Sequence, residues 1–320
     1  MKVVFFGTPQ FAIPSLEMLL KDDKFQVLGI VTQPDKRRGR GSLMTPSPVK
    51  QLALVNNIQV WQPLRTRQDE NLHSYLQSTK ADVFVVVAYG QILPASLLKI
   101  PRLGSINLHA SILPQYRGAA PIQWCIYNGE SETGNTTMLM NEGMDTGDIL
   151  LKSQLSIDLF ENANQVAEKL SLQGAQLLKD TLLGLEEKTL QPLAQESNLA
   201  SYAPMLKRED FLLNWSRSAL QLHNQIRGLY PNCFTTFRGD VLKIISSRPL
   251  DSALSKSEIC RYPENLEPGE ISLIFKNEGP VIFTGDGFLL LEQVQVAGKK
   301  IQSAWDFVNG MHMERGEKLG

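Results

Sequence analysis

The 320-residue sequence predicts an α/β fold, a doubly wound and mostly parallel sheet, followed by a small β-barrel domain. Three observations lead there. Short apolar runs, of which Asp82–Ala88 is the clearest, alternate with helical patterns in the first part of the chain, as buried parallel strands and their crossover helices do. Beyond residue 208 the pattern changes to short extended runs separated by Gly, Pro and Asp, as in small barrels. Between these regions the chain is polar and weakly periodic. The expected organisation is therefore a first domain over 1–189, a linker over 190–207 and a second domain over 208–320.

Val3–Phe6 is wholly apolar and stopped by Gly7-Thr8-Pro9, which reads as a buried strand feeding a turn. Pro14 fits only the first turn of a helix, so a helix follows through Leu16, Leu19 and Leu20. Phe25–Val31 is the next strand, Ser47–Asn56 a helix and Ile58–Trp61 a short strand. Ile106–His109 is a strand or its end, Gly118–Tyr127 a helix and Thr136–Met140 extended. Ala163–Leu183 has the apolar stripe of a long amphipathic helix, with Gly184 placed to cap it. In the second domain a helix is expected over Ser218–Arg227. Strands follow at Cys233–Phe237, Val241–Ile245, Glu270–Phe275, Pro280–Thr284 and Phe288–Val296.

Composition narrows the function. A hydrophobic share of 42% and a charged share of 20% are those of a folded globular chain. Lys and Arg number 32 against 33 Asp and Glu, so nucleic acid could be engaged only through a local basic patch. The three cysteines, Cys125, Cys233 and Cys260, are far apart and form no C-x-x-C pair, which suits a reducing, cytoplasmic setting. The N-terminal apolar run is too short for a secretion signal, and no stretch has transmembrane length. The four histidines are scattered without metal-ligand spacing, so no metal is expected.

The most compact chemical set is Asn107, His109 and Asp145. Strand side chains repeat every two residues, so Asn107 and His109 project from one face. A glycine-bounded loop, Asn141-Glu-Gly-Met-Asp-Thr-Gly-Asp148, could bring Asp145 to the imidazole. A carboxamide can donate to an oxyanion, and an imidazole oriented by a carboxylate can move a proton. With no evident nucleophilic Ser or Cys, the set suits direct attack of an amine on a carbonyl carbon. The loop Gln33-Pro-Asp-Lys-Arg-Arg-Gly-Arg-Gly-Ser42 places Lys36, Arg37, Arg38 and Arg40 within five positions after a strand. Such a flexible cationic loop suits closure on a phosphate backbone. Gly7-Thr8-Pro9 lacks the G-x-G-x-x-G of a dinucleotide site. Ala88-Tyr-Gly-Gln-Ile-Leu-Pro94 ends a buried strand and could wall a cleft for a flat heterocycle.

The run Asn107-Leu-His-Ala-Ser-Ile-Leu-Pro-Gln-Tyr-Arg-Gly-Ala-Ala-Pro-Ile122, with Met144-Asp-Thr-Gly-Asp148, resembles the formyltransferase family that uses 10-formyltetrahydrofolate. Phe6-Gly-Thr-Pro9 with Phe11, Gln33-Pro-Asp35, Gly39-Arg-Gly41 and Pro46-Ser-Pro-Val-Lys50 resemble the branch that formylates methionyl initiator tRNA. The match is dense in the first domain and thin in the second, where Tyr202-Ala203, Trp215, Ile226-Arg227 and Pro268-Gly269 carry it. The resemblance implies a Rossmann-like formyltransferase domain with an OB-like barrel. It implies formyl transfer from 10-formyltetrahydrofolate to the α-amine of methionine on initiator tRNA. A monomer is expected. It assigns Asn107, His109 and Asp145 as the catalytic trio. Ser111, Ile112, Leu113 and Pro114 match the folate-binding stretch, and Gln91, Ile92 and Leu93 fall at the pterin pocket. Arg40 matches the basic residue of the tRNA-contacting loop, alongside Lys36, Arg37 and Arg38, and Phe11 would line the methionine pocket. Ser42-Leu43 departs from the family, which often carries lysines there.

Overall fold

The computed structural model describes residues 1–38, 43–250 and 266–320. The described residues group into two compact units. The first comprises Met1–Pro121, Glu132–Ser156 and Ala167–Pro204; the second comprises Ile122–Ser131, Ile157–Val166 and Met205–Gly320. The stretch expected as a linker is thus built into the first unit as far as Pro204. Two short segments from the expected first domain group with the second.

In the first unit the strands are β1 (Lys2–Gly7), β2 (Gln26–Val31), β3 (Lys36–Arg38), β4 (Leu43–Thr45), β5 (Val60–Trp61), β6 (Val83–Val87), β7 (Ser105–His109), β8 (Arg117–Gly118), β9 (Glu132–Leu139), β10 (Ile149–Ser156) and β11 (Tyr202–Ala203). Seven form one sheet in the order β10-β9-β7-β6-β1-β2-β5. Pairings from β5 to β7 are parallel, while β9 and β10 are antiparallel. The expected mostly parallel sheet is present, with an antiparallel margin that the apolar runs did not signal.

Alternation along the strands builds a core on each face. Val3, Phe5, Val83, Val85, Ile106 and Leu108 pack with α1 (Ile13–Lys21), α2 (Pro48–Val55) and α6 (Ala163–Glu186) through Leu16, Val49 and Leu178. Val4, Phe6, Phe84 and Val86 face the other way, onto Leu72 and Leu76 of α3 (Glu70–Thr79) and Leu97 of α4 (Ala95–Leu98). Helices on both faces are the doubly wound arrangement. The helix starts are chemically marked. Pro14 lies in the first turn of α1, and the Ser47 hydroxyl accepts the Lys50 N–H at 3.1 Å to cap α2. Gly184 does not cap α6, which runs on to Glu186. A Cβ there would sit 2.7 Å from Leu190 Cγ, so the glycine serves close approach of the returning chain. The helix expected over Gly118–Tyr127 is shorter, α5 (Pro121–Tyr127), because Arg117–Gly118 is extended as β8.

The second unit holds β12 (Phe234–Phe237), β13 (Asp240–Leu250), β14 (Ile271–Phe275), β15 (Gly279–Phe283), β16 (Phe288–Val296) and β17 (Gln302–Ser303). They form an antiparallel, OB-like sheet ordered β12-β13-β16-β15-β14, with β17 on β16. The C-terminal tail bridges both edges, pairing Leu319 with Phe237 and Lys318 with Glu270. Its core joins Leu222 and Ile226 of α7 (Ala219–Gly228) to Ile244, Ile282, Leu289 and Leu291, with Phe307 of α8 (Ala304–Met311).

His223 on α7 is 3% exposed. Its Nε2 lies 2.8 Å from the Leu159 carbonyl and its Nδ1 3.2 Å from Ser247 Oγ. A carbonyl only accepts, so Nε2 carries the hydrogen and the neutral ring is satisfied at both ends. Burial, with Arg227 nearby, pushes its pKa below the ordinary value. The unfolded chain therefore takes up the proton first. The stabilisation is complete above the unfolded value of about 6.5 and is lost as pH falls below it. Denaturant melts from pH 7.5 to 5.5 should show wild type losing more stability than His223→Gln. Parallel losses would contradict the assignment.

Candidate active site

Asn107 is the middle and His109 the last residue of β7, on the sheet face opposite Ile106 and Leu108. Alternate residues on a strand stand about 7 Å apart, enough for both to address one bound group. Asp145 is on a loop, as the sequence predicts. It lies in the connection between antiparallel β9 and β10, which leaves β9 beside the start of β7, where the Met140 N–H donates to the Ser105 carbonyl at 2.8 Å. The connection then returns toward His109. His109 Nδ1 and Asp145 Oδ2 are 3.7 Å apart, with both side chains largely buried.

The hydrogen bonds assign each group a task. His109 Nε2 lies 2.9 Å from the Tyr116 carbonyl, so that nitrogen donates and the backbone fixes the ring plane. Nδ1 is left toward Asp145. The separation of 3.7 Å is too long for a hydrogen bond. Asp145 Oδ2 accepts the Gly118 N–H at 2.8 Å. Gly118 has φ +124°, and a Cβ there would meet the Ala203 carbonyl oxygen at 2.5 Å, so only glycine presents this amide. The Asn107 carboxamide is half-buried and makes no hydrogen bond among the described residues, which leaves its NH₂ available to a ligand.

Beyond the C-terminal end of β6 lies a cavity of about 560 Å³ lined by Arg65, Arg67, Gln91, Ile92, Leu93, Pro94, Ala95 and Glu142. Glu142 belongs to the same connection as Asp145, and β6 adjoins β7. The residues expected at the heterocycle pocket, Gln91, Ile92 and Leu93, are brought together here. The Gln91 side chain is committed, however. It accepts from the Thr66 N–H and hydroxyl at 2.8 and 3.0 Å and donates to the Pro63 carbonyl at 3.1 Å. It thereby holds the loop bearing Arg65 and Arg67. Sequence reasoning did not single out those two cations, since isolated arginines carry no pattern. Tyr89 reinforces the loop through a 2.5 Å bond to the Thr66 hydroxyl, and burial pushes its phenol pKa up.

Ser111 and Leu113 turn inward. The Ser111 hydroxyl donates to the Gln115 carbonyl at 2.6 Å, and Leu113 packs with Met138 and Ile149. Ile112 and Pro114 are half-buried. The stretch thus sets the turn that delivers Tyr116 to His109. Phe11 is half-buried against the core of the sheet. Lys36 and Arg37 are exposed on the β3–β4 hairpin, where the sequence predicts only a loop. Arg40 and the Arg38 side chain lie outside the described residues. At the hairpin's base Asp35 accepts from Lys50 and Gln62, each at 2.7 Å, and these bonds hold its carboxyl below the usual range. Among the described residues, no group of three or more His, Cys, Asp or Glu is arranged to hold a metal ion. No helix among them is long and apolar enough to cross a membrane.

The family model described as "Formyl transferase" matches residues 1–182, and that described as "Formyl transferase, C-terminal domain" matches 205–312. The chain is 53% identical to the methionyl-tRNA formyltransferase of Gloeothece citriformis, over 100% of this chain and 99% of that one. It is 51% identical to the same enzyme of Synechocystis sp., over 97% of each. Among solved structures it is similar to a sugar 3N-formyl transferase crystallised with dTDP and 5-N-formyl-THF. The TM-score is 0.65 at 22% identity, covering 94% of this chain and 99% of that one. It is also similar to an N-formyltransferase of Helicobacter canadensis complexed with folinic acid and dTDP-3-aminofucose. There the TM-score is 0.66 at 22% identity, covering 91% and 98%. These matches along the whole length make this chain a member of the formyl transferase family, among the methionyl-tRNA formyltransferases.

Proposed function

We propose that the chain transfers a formyl group from 10-formyltetrahydrofolate to the α-amine of methionine on initiator tRNA, giving N-formylmethionyl-tRNA for translation initiation. What supports the reading is the approach of Asp145 to His109 at the end of β7, with Asn107 two residues before it on the same strand, next to the strand whose loop walls the cavity. That cavity suits the formyl donor in size and lining: apolar Ile92, Leu93 and Pro94 for a flat ring, and Arg65 and Arg67 for acidic groups. We assign Gln91, Ile92 and Leu93 to its wall, Ser111, Ile112, Leu113 and Pro114 to the supporting turn, and Phe11 to the methionine side.

The amine reacts in its neutral form, since a protonated amine has no lone pair. As the new C–N bond forms, the Asn107 NH₂ donates to the formyl oxygen, where negative charge develops. His109 supports that charge and carries the proton released by the amine to the departing folate nitrogen as the old C–N bond breaks. The fixed Nε2–H makes Nδ1 the atom that handles the proton, with Asp145 Oδ2 3.7 Å away.

For tRNA we assign the β3–β4 hairpin with Lys36, Arg37, Arg38 and Arg40, and the C-terminal unit as the second binding element. The protein would work as a cytoplasmic monomer. Arg37→Ala should raise KM for tRNA severalfold, leave kcat unchanged and lower the slope of log KM against log salt by about 1, the loss of one phosphate contact. An unaltered salt slope would remove Arg37 from the interface. The reading itself is tested by offering purified protein the formyl donor with methionyl initiator tRNA, or with an amino sugar nucleotide. Formylation of the tRNA alone is expected; transfer only to the sugar would overturn the reading.

A further inference from the structure

The polar stretch 190–203 is tied through Leu193, Gln195 and Ser201 to the segments around the catalytic groups. Leu193 exchanges both backbone hydrogen bonds with Ile149, each 2.8 Å, at the start of β10. The Gln195 side-chain NH₂ donates to the Asp145 carbonyl at 2.9 Å and the Gly147 carbonyl at 2.7 Å. Its Oε1 accepts from Arg117 Nε at 3.0 Å and from another guanidinium nitrogen of Arg117 at 2.7 Å. Ser201 then takes the next two amides. Its hydroxyl accepts the Tyr116 N–H at 2.9 Å and its carbonyl the Arg117 N–H at 2.8 Å, continuing into the β8–β11 ladder.

Those contacts fall on the backbone that places the catalytic pair. Tyr116 supplies the carbonyl on His109 Nε2, and Gly118 supplies the amide on Asp145 Oδ2. Asp145 has φ +52°, a left-handed conformation that is uncommon for non-glycine residues and most accessible to Asn and Asp. One carboxamide therefore joins the two segments that fix His109 and Asp145. Arg117 is 3% exposed and Gln195 is half-buried, so the guanidinium end of this junction is shielded from water.

We infer that Gln195, with Arg117, is a positioning residue for formyl transfer, and that the 193–203 segment is a strap setting the His109–Asp145 geometry rather than a passive tether. The kinetic part of this inference rests on the proposed formyl transfer. Gln195 touches no reacting atom. It acts by locking the Asp145 connection to the Tyr116–Gly118 backbone, and a small shift in such a constellation lowers turnover without weakening substrate binding.

The test uses the full chain with Gln195→Ala and Gln195→Glu. Both should lower kcat roughly 10–100-fold while KM for tRNA and formyl donor stay within about twofold. The glutamate variant should fail like alanine, because a carboxylate accepts from Arg117 but cannot donate to the two carbonyls. In the Asp145→Asn background, Gln195→Ala should add nothing, because the geometry it maintains is already without use. Wild-type kcat in either variant, or full rescue by glutamate, would overturn the strap. A second readout needs no turnover. In ¹H–¹⁵N spectra of the histidine rings, with His109 assigned by its loss in His109→Gln, Gln195→Ala should move His109 and leave His73, His223 and His312 in place. An unmoved His109 would overturn the strap. Absent formyl transfer by wild type would instead overturn the proposed function, with the spectra still deciding the strap.

Discussion

Replacing His109 with alanine is expected to lower kcat about 10²–10⁴-fold, the range for loss of a positioned proton-transfer group. The imidazole is 6% exposed and held through Nε2 by the Tyr116 carbonyl. Its loss leaves a small cavity and removes a buried hydrogen bond, which costs about 0.5–1.5 kcal/mol before the cavity is counted, so the melting temperature should fall as well. Two measurements separate chemistry from folding. Binding of the formyl donor should persist, since the cavity walls do not include His109. Added imidazole, which fits the space vacated and can carry the proton, should restore part of the rate in a concentration-dependent way. A variant turning over within a factor of a few of wild type would exclude the proton role.

Asn107→Ala is expected to lower kcat ~10²–10³-fold with little change in donor affinity, as when one oxyanion donor is removed. Asn107 has no hydrogen bond to lose among the described residues, and its neighbours across the sheet are Val86 and Met138. Folding should therefore be almost untouched, and the loss should sit in kcat. Equal turnover with and without the carboxamide would place the oxyanion elsewhere.

Much of this was legible in the residues. β1 and β6 are nearly all apolar because helices cover both sides of them; a strand with one face in water would carry polar residues at alternate positions. Asn107 and His109 stood out because polar groups two apart on a strand must share a face. What escaped has physical reasons. α3 is mostly polar, with only Leu72 and Leu76 buried, so its stripe was too thin to register. β10 is buried only at Ile149 and Leu150 and then alternates half-buried with exposed residues, with Lys152, Ser153 and Gln154 in the pattern. The strap escaped because its partners are remote: Gln195 meets Arg117 and Asp145 across 78 and 50 residues of chain. A side chain that bonds to distant backbone leaves no local periodicity. The hand that orients His109 escaped likewise, since the Tyr116 carbonyl, not the Asp145 carboxylate, makes the hydrogen bond.

The most direct measurement is a single-turnover experiment with enzyme and formyl donor in excess over methionyl initiator tRNA, following N-formylmethionyl-tRNA with time. Wild type should convert the bound tRNA in one exponential phase, and the Asn107→Ala and His109→Ala proteins, equally saturated, should do so at least about 10²-fold more slowly. Unchanged single-turnover rates in both variants would mean that the bond to the methionine nitrogen forms without these two side chains.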